Sequence, residues 1–301
     1  MQWKKLGIIF TPDRNLSWQQ SHVQNPFPVQ LDEHIFRIFF ASRDKDNISR
    51  SGYFDLDMQN IYAPKKYCTT PVLDIGELGA FDDCGAMPHC IIQKEDEFIL
   101  YYTGWTKAVE VPFLFFIGAA KSKSLSGPFV RVSRAPIIGR NFFDPYLTCA
   151  PYVLKIEDKY IMYYISGLKW EKNDQNVKHY YTIKAAESSD ALNWITNDKI
   201  IIELEKEEYA LARPVLFFDK GKYELWFSYR GGANTYRIGL AISDDLKKWK
   251  REDVDLPLSD EGWDSEMVCY AHPFFYKEKK YLLYNGNDYG ASGSGLAMLS
   301  K

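Results

Sequence analysis

Four carboxylate side chains stand a few residues ahead of prolines in three separate parts of the chain. Asp83 lies in the stretch FDDCGAMP, Glu208 in EKEEYALARP, and Asp264 and Glu266 in WDSEMVCYAHP. Two carboxyl groups held across a sugar can cleave a glycosidic bond, because one donates a proton while the other acts as base or nucleophile. Burial and mutual repulsion separate the pKa values of such a pair. These four residues are therefore our candidate catalytic groups.

Other side chains in the same neighbourhoods suit ligand binding. Guanidinium groups bind phosphate or carboxylate through parallel hydrogen bonds, and indole or phenol rings give a sugar an apolar platform. The candidate binding residues are Gln24, Arg43, His89, Trp105, Trp170, Arg213, Arg230, Trp263, Tyr270 and His272. The arginines could equally form structural ion pairs with nearby acids, namely Asp44, Glu207, Glu208 and Asp264. The residues alone leave both interpretations open.

A repeated unit positions these residues. A proline, a short strand, a charged turn and an aromatic strand recur from Pro28, Pro88, Pro151, Pro214 and Pro273, as in PVLFFDKGKYELWFSYRGG. Each copy predicts a β-hairpin. A second pattern, as in LAISDDLKKWKR, follows most copies and predicts a third and a fourth strand. Four antiparallel strands repeated five times predict an all-β chain, a five-bladed β-propeller that forms a single domain over residues 1–301.

The two ends of the chain are expected to complete one blade. The last copy stops at GSGLAMLSK and lacks a fourth strand, whereas the N-terminal stretch WKKLGIIF is a strand without a partner. In each blade the strands alternate direction, so the start of strand one and the end of strand two share a face. We expect the candidate residues to meet there, around one mouth of the central channel. The polar segment LKWEKNDQNVKHYY is expected to be a long surface loop.

Composition narrows the partners and the location. A net charge of -3 argues against nucleic acid as a partner. No apolar stretch approaches the roughly 18 residues of a membrane span, and the N-terminal apolar run is too short for a signal peptide. Five cysteines without a CxxC pair favour free thiols in a reducing cytoplasm over disulfides or a zinc site. We expect a cytoplasmic protein with no metal motif and no cofactor, although a hydrated cation in the channel stays open.

The hairpin GKYELWFSYRG, the outer strand SDDLKKWKR and the phrase WDSEMVCYAHP resemble the five-bladed propeller superfamily that includes glycoside hydrolase families 32, 43, 68, 117 and 130. The resemblance covers nearly the whole chain and implies an enzyme that acts on glycosidic bonds. Hydrolases of that superfamily carry acids directly before the proline. Here those positions hold Phe27, Met87, Ala150, Arg213 and His272. The region of the usual blade-one aspartate holds Gln24 and Asn25, so this chain departs from the hydrolase pattern.

Three functions are consistent with the resemblance and with the departure from the hydrolase pattern. The first is a glycoside hydrolase-like, carbohydrate-active enzyme. The second is a phosphorylase of the family 130 type, which needs one acid and not two, or a transferase using a phosphate-bearing sugar, for example in surface-polysaccharide synthesis. In both, Arg43, Arg213 and Arg230 would bind the anionic group. The third is a propeller that binds sugars or other proteins without catalysis. In each of the first two cases the expected partner is a carbohydrate or sugar phosphate. The oligomeric state is not specified by the sequence.

Overall fold

The computed structural model describes residues 2–172, 177–232 and 235–300, and these are almost entirely β-structure. They contain 20 strands and one four-residue helical turn, α1 (Asn287–Gly290), in which Asp288 and Tyr289 have φ angles of 51° and 61°. Among the residues described, no helical segment has the length and apolar character that a bilayer crossing needs.

The first eight-stranded sheet contains two consecutive sets of four antiparallel strands. Set one is β2 (Ser21–Gln30), β3 (Ile35–Arg43), β4 (Ser49–Asp57) and β5 (Lys66–Tyr67). Set two is β6 (Gly85–Lys94), β7 (Glu97–Lys107), β8 (Phe113–Ser122) and β9 (Val130–Arg131). One parallel pairing, of Ser49 with Gly85, joins the two sets.

The second eight-stranded sheet repeats this plan. Set three is β10 (Thr148–Ile156), β11 (Lys159–Lys172), β12 (Val177–Ser188) and β13 (Ile200–Ile202). Set four is β14 (Glu208–Asp219), β15 (Lys222–Gly231), β16 (Arg237–Ser243) and β17 (Lys250–Glu252). Again one parallel pairing, of Tyr181 with Ala210, joins the sets.

The remaining four-stranded sheet joins the two ends of the chain. Set five is β18 (Cys269–Tyr276), β19 (Lys279–Asn285), β20 (Ser294–Leu299) and the N-terminal strand β1 (Trp3–Phe10). Strand β1 pairs antiparallel with β20, from Trp3 opposite Leu299 to Phe10 opposite Ser294. This is the pairing expected from the unpartnered N-terminal strand and the incomplete last repeat.

Charged two-residue turns close four of the hairpins. The first turn residue is Glu95, Glu157, Lys220 or Lys277, with φ angles of 55°, 53°, 49° and 54°. A positive φ at this position gives the turn a twist that matches the right-handed twist of the strands. The side chains at these hairpin tips reach water, which explains why the turns predicted from the sequence are charged.

The second strand of each set lies in the core. Five consecutive residues of β3, from Ile38 to Ser42, are buried, as are Ile99–Thr103 in β7 and Met162–Gly167 in β11. Both faces of these strands are covered, so the alternation of apolar and polar residues gives way to continuous apolar runs. The aromatic character of the hairpins reflects this two-sided packing.

The prediction of a surface loop between the second and third strands of set three is wrong for most of that segment. Strands β11 and β12 continue their pairing as far as Lys172 opposite Val177, including Trp170 opposite His179. The tip, residues 173–176, lies outside the described residues. The segment is polar because an extended two-stranded arm exposes more of its surface to water than a strand inside a sheet.

Candidate functional site

A cavity of about 550 Å³ opens where the first strands of the sets begin and the second strands end. Side chains from all five sets line it, among them Gln24, Arg43, His89, Thr103, Trp105, Ala150, Tyr181, Arg213, Arg230, Tyr270 and Tyr289. Antiparallel strands bring the start of one strand beside the end of the next, which is the convergence expected from the sequence.

The lining carries positive charge without carboxylates. Arg43, Lys107, Arg213 and Arg230 line the cavity, and no Asp or Glu is among the lining residues of the described chain. Charges act over longer range where low-dielectric walls exclude water. The cavity is therefore suited to a negatively charged ligand.

Arg213 lies at the buried end of this cavity and is only 2% exposed. Its guanidinium donates hydrogen bonds to the carbonyl oxygens of Tyr270 and Ala271 at 2.6 and 3.2 Å. It also donates to the carbonyls of Asn25 and Pro26 at 3.1 and 2.7 Å. Burial lowers the pKa of Arg213. The side chain thus ties β14 to β18 and β2 through backbone carbonyls.

Arg43 and Arg230 are held by neutral groups. Arg43 donates to Asn47 and to Gln24, each at 3.0 Å. Arg230 lies 3.3 Å from His179 Nε2 and its Cζ is 4.8 Å from the ring centre of Tyr236. Neither arginine has a carboxylate partner within the three described ranges. Their guanidinium groups therefore remain available to an anion.

The acids that could have neutralised the arginines have other partners. Asp44 accepts from Arg50 at 2.7 Å and Glu208 accepts from both terminal nitrogens of Arg251 at 2.8 Å. Since these acids are engaged elsewhere, the alternative interpretation of the arginines as parts of ion pairs with them does not hold.

Two stacked tyrosines line the cavity together with Arg43 and Arg230. The rings of Tyr270 and Tyr289 stack with centroids 6.3 Å apart, and both phenols lie within electrostatic range of both guanidinium groups. Burial raises the pKa of Tyr270 well above its ordinary value, so its phenol stays neutral and can donate a hydrogen bond. The cavity lining therefore combines two cations with neutral phenol donors.

An aromatic wall faces the cavity from sets two and three. Phe113 stacks on Phe115 with ring centres 4.2 Å apart and meets His179 edge-on at 5.4 Å. His179 in turn stacks on Tyr181 at 4.9 Å. Burial, with the nearby charge of Arg230, lowers the pKa of His179 to about 3, so the ring is neutral at pH 7. Such a wall offers flat apolar surface to a sugar ring.

Backbone strain concentrates where the first strands reach the cavity. Asn25, Ala150, Arg213 and Tyr270 all have positive φ, between 50° and 57°. The pairing register shifts at this level in each first strand, as between Ala212 and Val215. Bulges and left-handed residues redirect side chains and are found next to functional sites. Here they bring Arg213 and Tyr270 to the same cavity.

The four predicted catalytic carboxylates do not line the cavity. Glu208 is held by Arg251, and Asp83 accepts the backbone N–H of Gly79 at 3.0 Å. Glu266 is exposed, and its backbone N–H donates to Asn287 at 2.8 Å. The expectation that these acids converge on the cavity is wrong, because Asp83, Asp264 and Glu266 lie in loops ahead of the strands that enter it, and Glu208, the first residue of β14, pairs with Arg251.

Asp264 belongs to a structural motif. It is 2% exposed, lies 2.7 Å from Lys5 Nζ, and accepts from the Tyr284 hydroxyl at 3.0 Å. Asp82 and Asp144 have the same arrangement, each accepting from a tyrosine 20 residues later in the chain, Tyr102 and Tyr164. The recurrence of acids at corresponding positions therefore reflects a shared packing device, in which a buried carboxylate anchors a loop to the second strand.

Seven of the ten predicted binding residues line the cavity: Gln24, Arg43, His89, Trp105, Arg213, Arg230 and Tyr270. The other three are absent from its lining. Trp170 packs behind the aromatic wall, with its ring 5.5 Å from Phe113. Trp263 packs on Tyr284 at 5.0 Å, where Gly286 and Gly295 leave room for the indole. His272 is buried between Phe27 and Tyr152.

Several cavity residues were not predicted. Phe113, His179, Tyr181, Tyr236 and Tyr289 contribute much of the aromatic surface. The signal for His179 and Tyr181 is their spacing of two residues, which puts both on one face of a strand. That signal is readable only once the segment is identified as β12 and not as a loop. In the described ranges no three His, Cys, Asp or Glu side chains form a group that could hold a metal ion.

Comparison with known proteins gives two relatives that match over nearly the whole chain and one that matches over about a third of it. No family model matches the chain. The uncharacterized proteins MT1551 and Rv1502, from two strains of Mycobacterium tuberculosis, are each 36% identical to it over 302 residues, covering 99% of this chain and 99% of the relative. A β-1,2-mannobiose phosphorylase of a Thermoanaerobacter species is 29% identical over 116 residues, or 36% of this chain and 38% of the phosphorylase.

Solved structures share the fold at low sequence identity. The structure of a glycoside hydrolase matches with a TM-score of 0.76 at 14% identity, covering 98% of this chain and 90% of that protein. A thermostable family-43 glycoside hydrolase matches with a TM-score of 0.69 at 17% identity, covering 96% and 91%. The sheets of this chain are therefore arranged like those of propeller glycosidases.

Proposed function

The chain belongs to the family of the Mycobacterium tuberculosis proteins MT1551 and Rv1502, and from that premise we propose that it is a carbohydrate-active protein whose cavity binds a sugar bearing a phosphate group. The observation that carries the proposal is the lining itself: three arginines without carboxylate partners in the described ranges, and no lining carboxylate. The five strand sets are the five blades of the propeller, closed by β1 on β20.

The arginines support an anionic ligand on energetic grounds. A buried guanidinium loses its hydration, and a polar ligand atom that accepts from it restores much of that loss. Arg43 of set one and Arg230 of set four reach the same cavity from different strands, so both can contribute donors to one ligand. A tetrahedral phosphate, with several anionic oxygens, fits donors that converge in this way.

The aromatic wall supports a sugar as the rest of the ligand. Phe113, Phe115, His179 and Tyr181 form a continuous ring surface in the lining of the cavity. Sugar rings expose an apolar face of C–H groups that packs on such surfaces. Gln24, Asn25 and Asn47, which also line the cavity, can read hydroxyl groups.

Ordinary hydrolysis by a carboxylate pair has little support. Retaining and inverting glycosidases need two carboxyl groups about 5 to 10 Å apart across the sugar. The cavity lining supplies neither, and Asp264 and Glu208 are held by Lys5 and Arg251. We therefore do not propose a conventional glycosidase.

Transfer of a sugar to or from phosphate is the second candidate. The partial similarity to a β-1,2-mannobiose phosphorylase favours it, because such a reaction also needs a phosphate site beside a sugar site. A binding propeller without catalysis is the remaining alternative, since the candidate acids Asp264 and Glu208 are engaged in ion pairs. Turnover of the bound ligand distinguishes the two.

The test compares matched ligands by calorimetry. Mannose 1-phosphate, glucose 1-phosphate and nucleotide sugars are titrated beside mannose, glucose and simple glycosides. At least one phosphorylated sugar should bind at least about tenfold more tightly than its parent, the equivalent of about 1.4 kcal/mol. Arg43→Met should remove that preference, whereas Arg134→Met, on the exposed surface, should keep it. Equal binding of parent and phosphorylated sugars would contradict the proposal.

A further inference from the structure

Aromatic rings surround the guanidinium group of Arg230. Its Cζ atom lies 4.8 Å from the ring centre of Tyr236, 5.1 Å from that of Tyr209 and 6.0 Å from that of Tyr181. The attraction between an arginine and the face of an aromatic ring acts within about 6 Å and is stronger where water is excluded. All three rings therefore contribute to holding this cation.

Arg43, at the end of the second strand of set one, is held in a different way. It donates N–H groups to the side chains of Asn47 and Gln24, whereas packing on a ring face uses no N–H group. Among the described contacts of Arg230, the one with His179 engages a terminal nitrogen, and the buried Nε has no acceptor in the described ranges. Arg230 therefore keeps most of its N–H donors for a ligand.

One of the three rings stands apart from the ligand space. Tyr181 and Tyr236 line the cavity, but Tyr209 is absent from the lining of the described chain. Tyr209 thus contacts the cation without facing the ligand. A substitution of Tyr209 can therefore change ligand affinity through Arg230 and not through a lost contact with the ligand.

A β-bulge explains how Tyr209 reaches the cation. Ala210 of β14 pairs with Arg230 of β15. The next pair joins Glu208 to Gly231, which leaves Tyr209 as the extra residue between the two pairs. A bulge redirects a side chain and is common next to active sites. The local backbone therefore directs the Tyr209 ring to the arginine that its own strand pairs with.

The arm of set three fixes the Tyr209 ring in turn. Lys178 Nζ lies 3.8 Å from the ring centre, and the Tyr180 ring meets it edge-on with centres 5.8 Å apart. Both side chains belong to β12. A ring packed on several sides has few alternative rotamers, so Tyr209 offers Arg230 a fixed surface.

We propose that Tyr209 is a positioning residue, which holds the guanidinium of Arg230 by its face and so keeps the N–H donors available to an anion in the cavity. This role rests on the proposed function, since the phosphate group of the sugar is the anion that Arg230 would bind. Without the ring, the guanidinium would sample other rotamers, and the ligand would have to order it again on binding.

A double-mutant cycle with inorganic phosphate as the probe tests this coupling. Tyr209→Leu keeps apolar bulk but removes the ring, and the affinity measured by calorimetry should fall about tenfold. Tyr209→Phe keeps the ring and should bind like the wild type. Added to Arg230→Met, Tyr209→Leu should have no further effect. An equal loss in both backgrounds, or no loss in either, would overturn the proposal. Tyr223→Leu, at the other end of β15, is the matched control and should bind as the wild type does.

Nitrogen-15 NMR of the arginine Nε–H groups tests the same contact without a ligand. The resonance that is missing from Arg230→Met identifies Arg230. Its heteronuclear Overhauser effect should indicate an ordered side chain in the wild type and in Tyr209→Phe, and a mobile one in Tyr209→Leu. Arg134, on the exposed surface, supplies the mobile reference. An Arg230 side chain that stays equally ordered in Tyr209→Leu would rule out the positioning role.

The positioning role and the proposed function can fail separately. If neither phosphate nor a phosphorylated sugar binds, the proposed function fails, and the NMR measurement still decides whether Tyr209 positions Arg230. If a phosphorylated sugar binds equally well to the wild type and to Tyr209→Leu, the proposed function stands and the positioning role fails.

Discussion

Tyr164 donates its hydroxyl hydrogen bond to Asp144 at 3.0 Å, and the same aspartate accepts from Lys184 at 3.3 Å. The equivalent cation is Arg131 at Asp82, 2.6 Å away, and Lys5 at Asp264. Each aspartate precedes a first strand, each tyrosine lies in a second strand, and each cation comes from another strand or its end. A buried carboxylate that is paired with a tyrosine and a cation in this way anchors the loop that carries it.

Removing one of these carboxylates should therefore reduce stability and spare ligand binding. Asp264→Asn leaves Lys5 without its partner, and we expect the free energy of unfolding in urea to fall by about 3 kcal/mol. The control Glu266→Gln, on an exposed side chain, should change it by less than about 0.5 kcal/mol. Unchanged stability together with lost turnover would instead restore Asp264 as a catalytic group.

The shape of the Arg230 side chain should matter as well as its charge. Arg230→Lys keeps the charge but loses the planar fork that packs on Tyr236 and reaches His179. We expect phosphorylated-sugar affinity to fall about tenfold in the lysine variant and further in Arg230→Met. Calorimetry checks the order, with Arg134→Lys as the surface control. Equal affinity in the lysine variant and the wild type would show that only the positive charge at position 230 contributes to binding.

The aromatic wall should select the sugar and not the phosphate. Phe113→Ala removes the ring that stacks on Phe115, and we expect sugar-phosphate affinity to fall by a factor of about ten while inorganic phosphate binds as before. Competition between inorganic phosphate and a sugar phosphate measures both in one experiment. A parallel loss of inorganic phosphate binding would place the phosphate on the wall.

His22 should make the protein less stable in mild acid. Burial, followed by the charge of Arg43, lowers the pKa of His22 from 6.5 to about 4. Between these values the unfolded chain holds a proton that the folded chain lacks, so stability rises with pH through this window and falls as pH drops. One such group contributes a slope of about 1.4 kcal/mol per pH unit.

The variant His22→Asn isolates that contribution. Asparagine tolerates the positive φ of 69° at this position, so the backbone need not change. Urea unfolding at several pH values between 4 and 6.5 should show a slope smaller by about one proton than in the wild type. An identical slope in both proteins would mean that His22 is already protonated in the folded chain.

The hairpins were predictable because they depend on local features. A proline, a charged turn and an apolar run within about 20 residues specify a hairpin without knowledge of the rest of the chain. Strand direction then placed Arg43, Arg213 and Arg230 on the cavity side. These inferences need only the alternation of strands, which the sequence reveals through its repeats.

The roles of the acids were not predictable from local features. Asp264 is structural because Lys5, 259 positions earlier in the chain, lies against it, and Glu208 because Arg251 does. Such pairs depend on which outer strand lies beside which loop. His179 and Tyr181 were missed for a different reason, since an exposed two-stranded arm has the polar composition of a loop.

The pairing of β1 with β20 is one of the longest-range contacts in the described chain. Trp3–Phe10 and its partner, Ser294–Leu299, lie at opposite ends of the residues that the structure describes. Strands paired over such a separation form slowly, because the loop between them must close before the contact stabilises it. Until that pairing forms, β1 presents unpaired backbone donors and acceptors, and such an edge is a template for association with another chain.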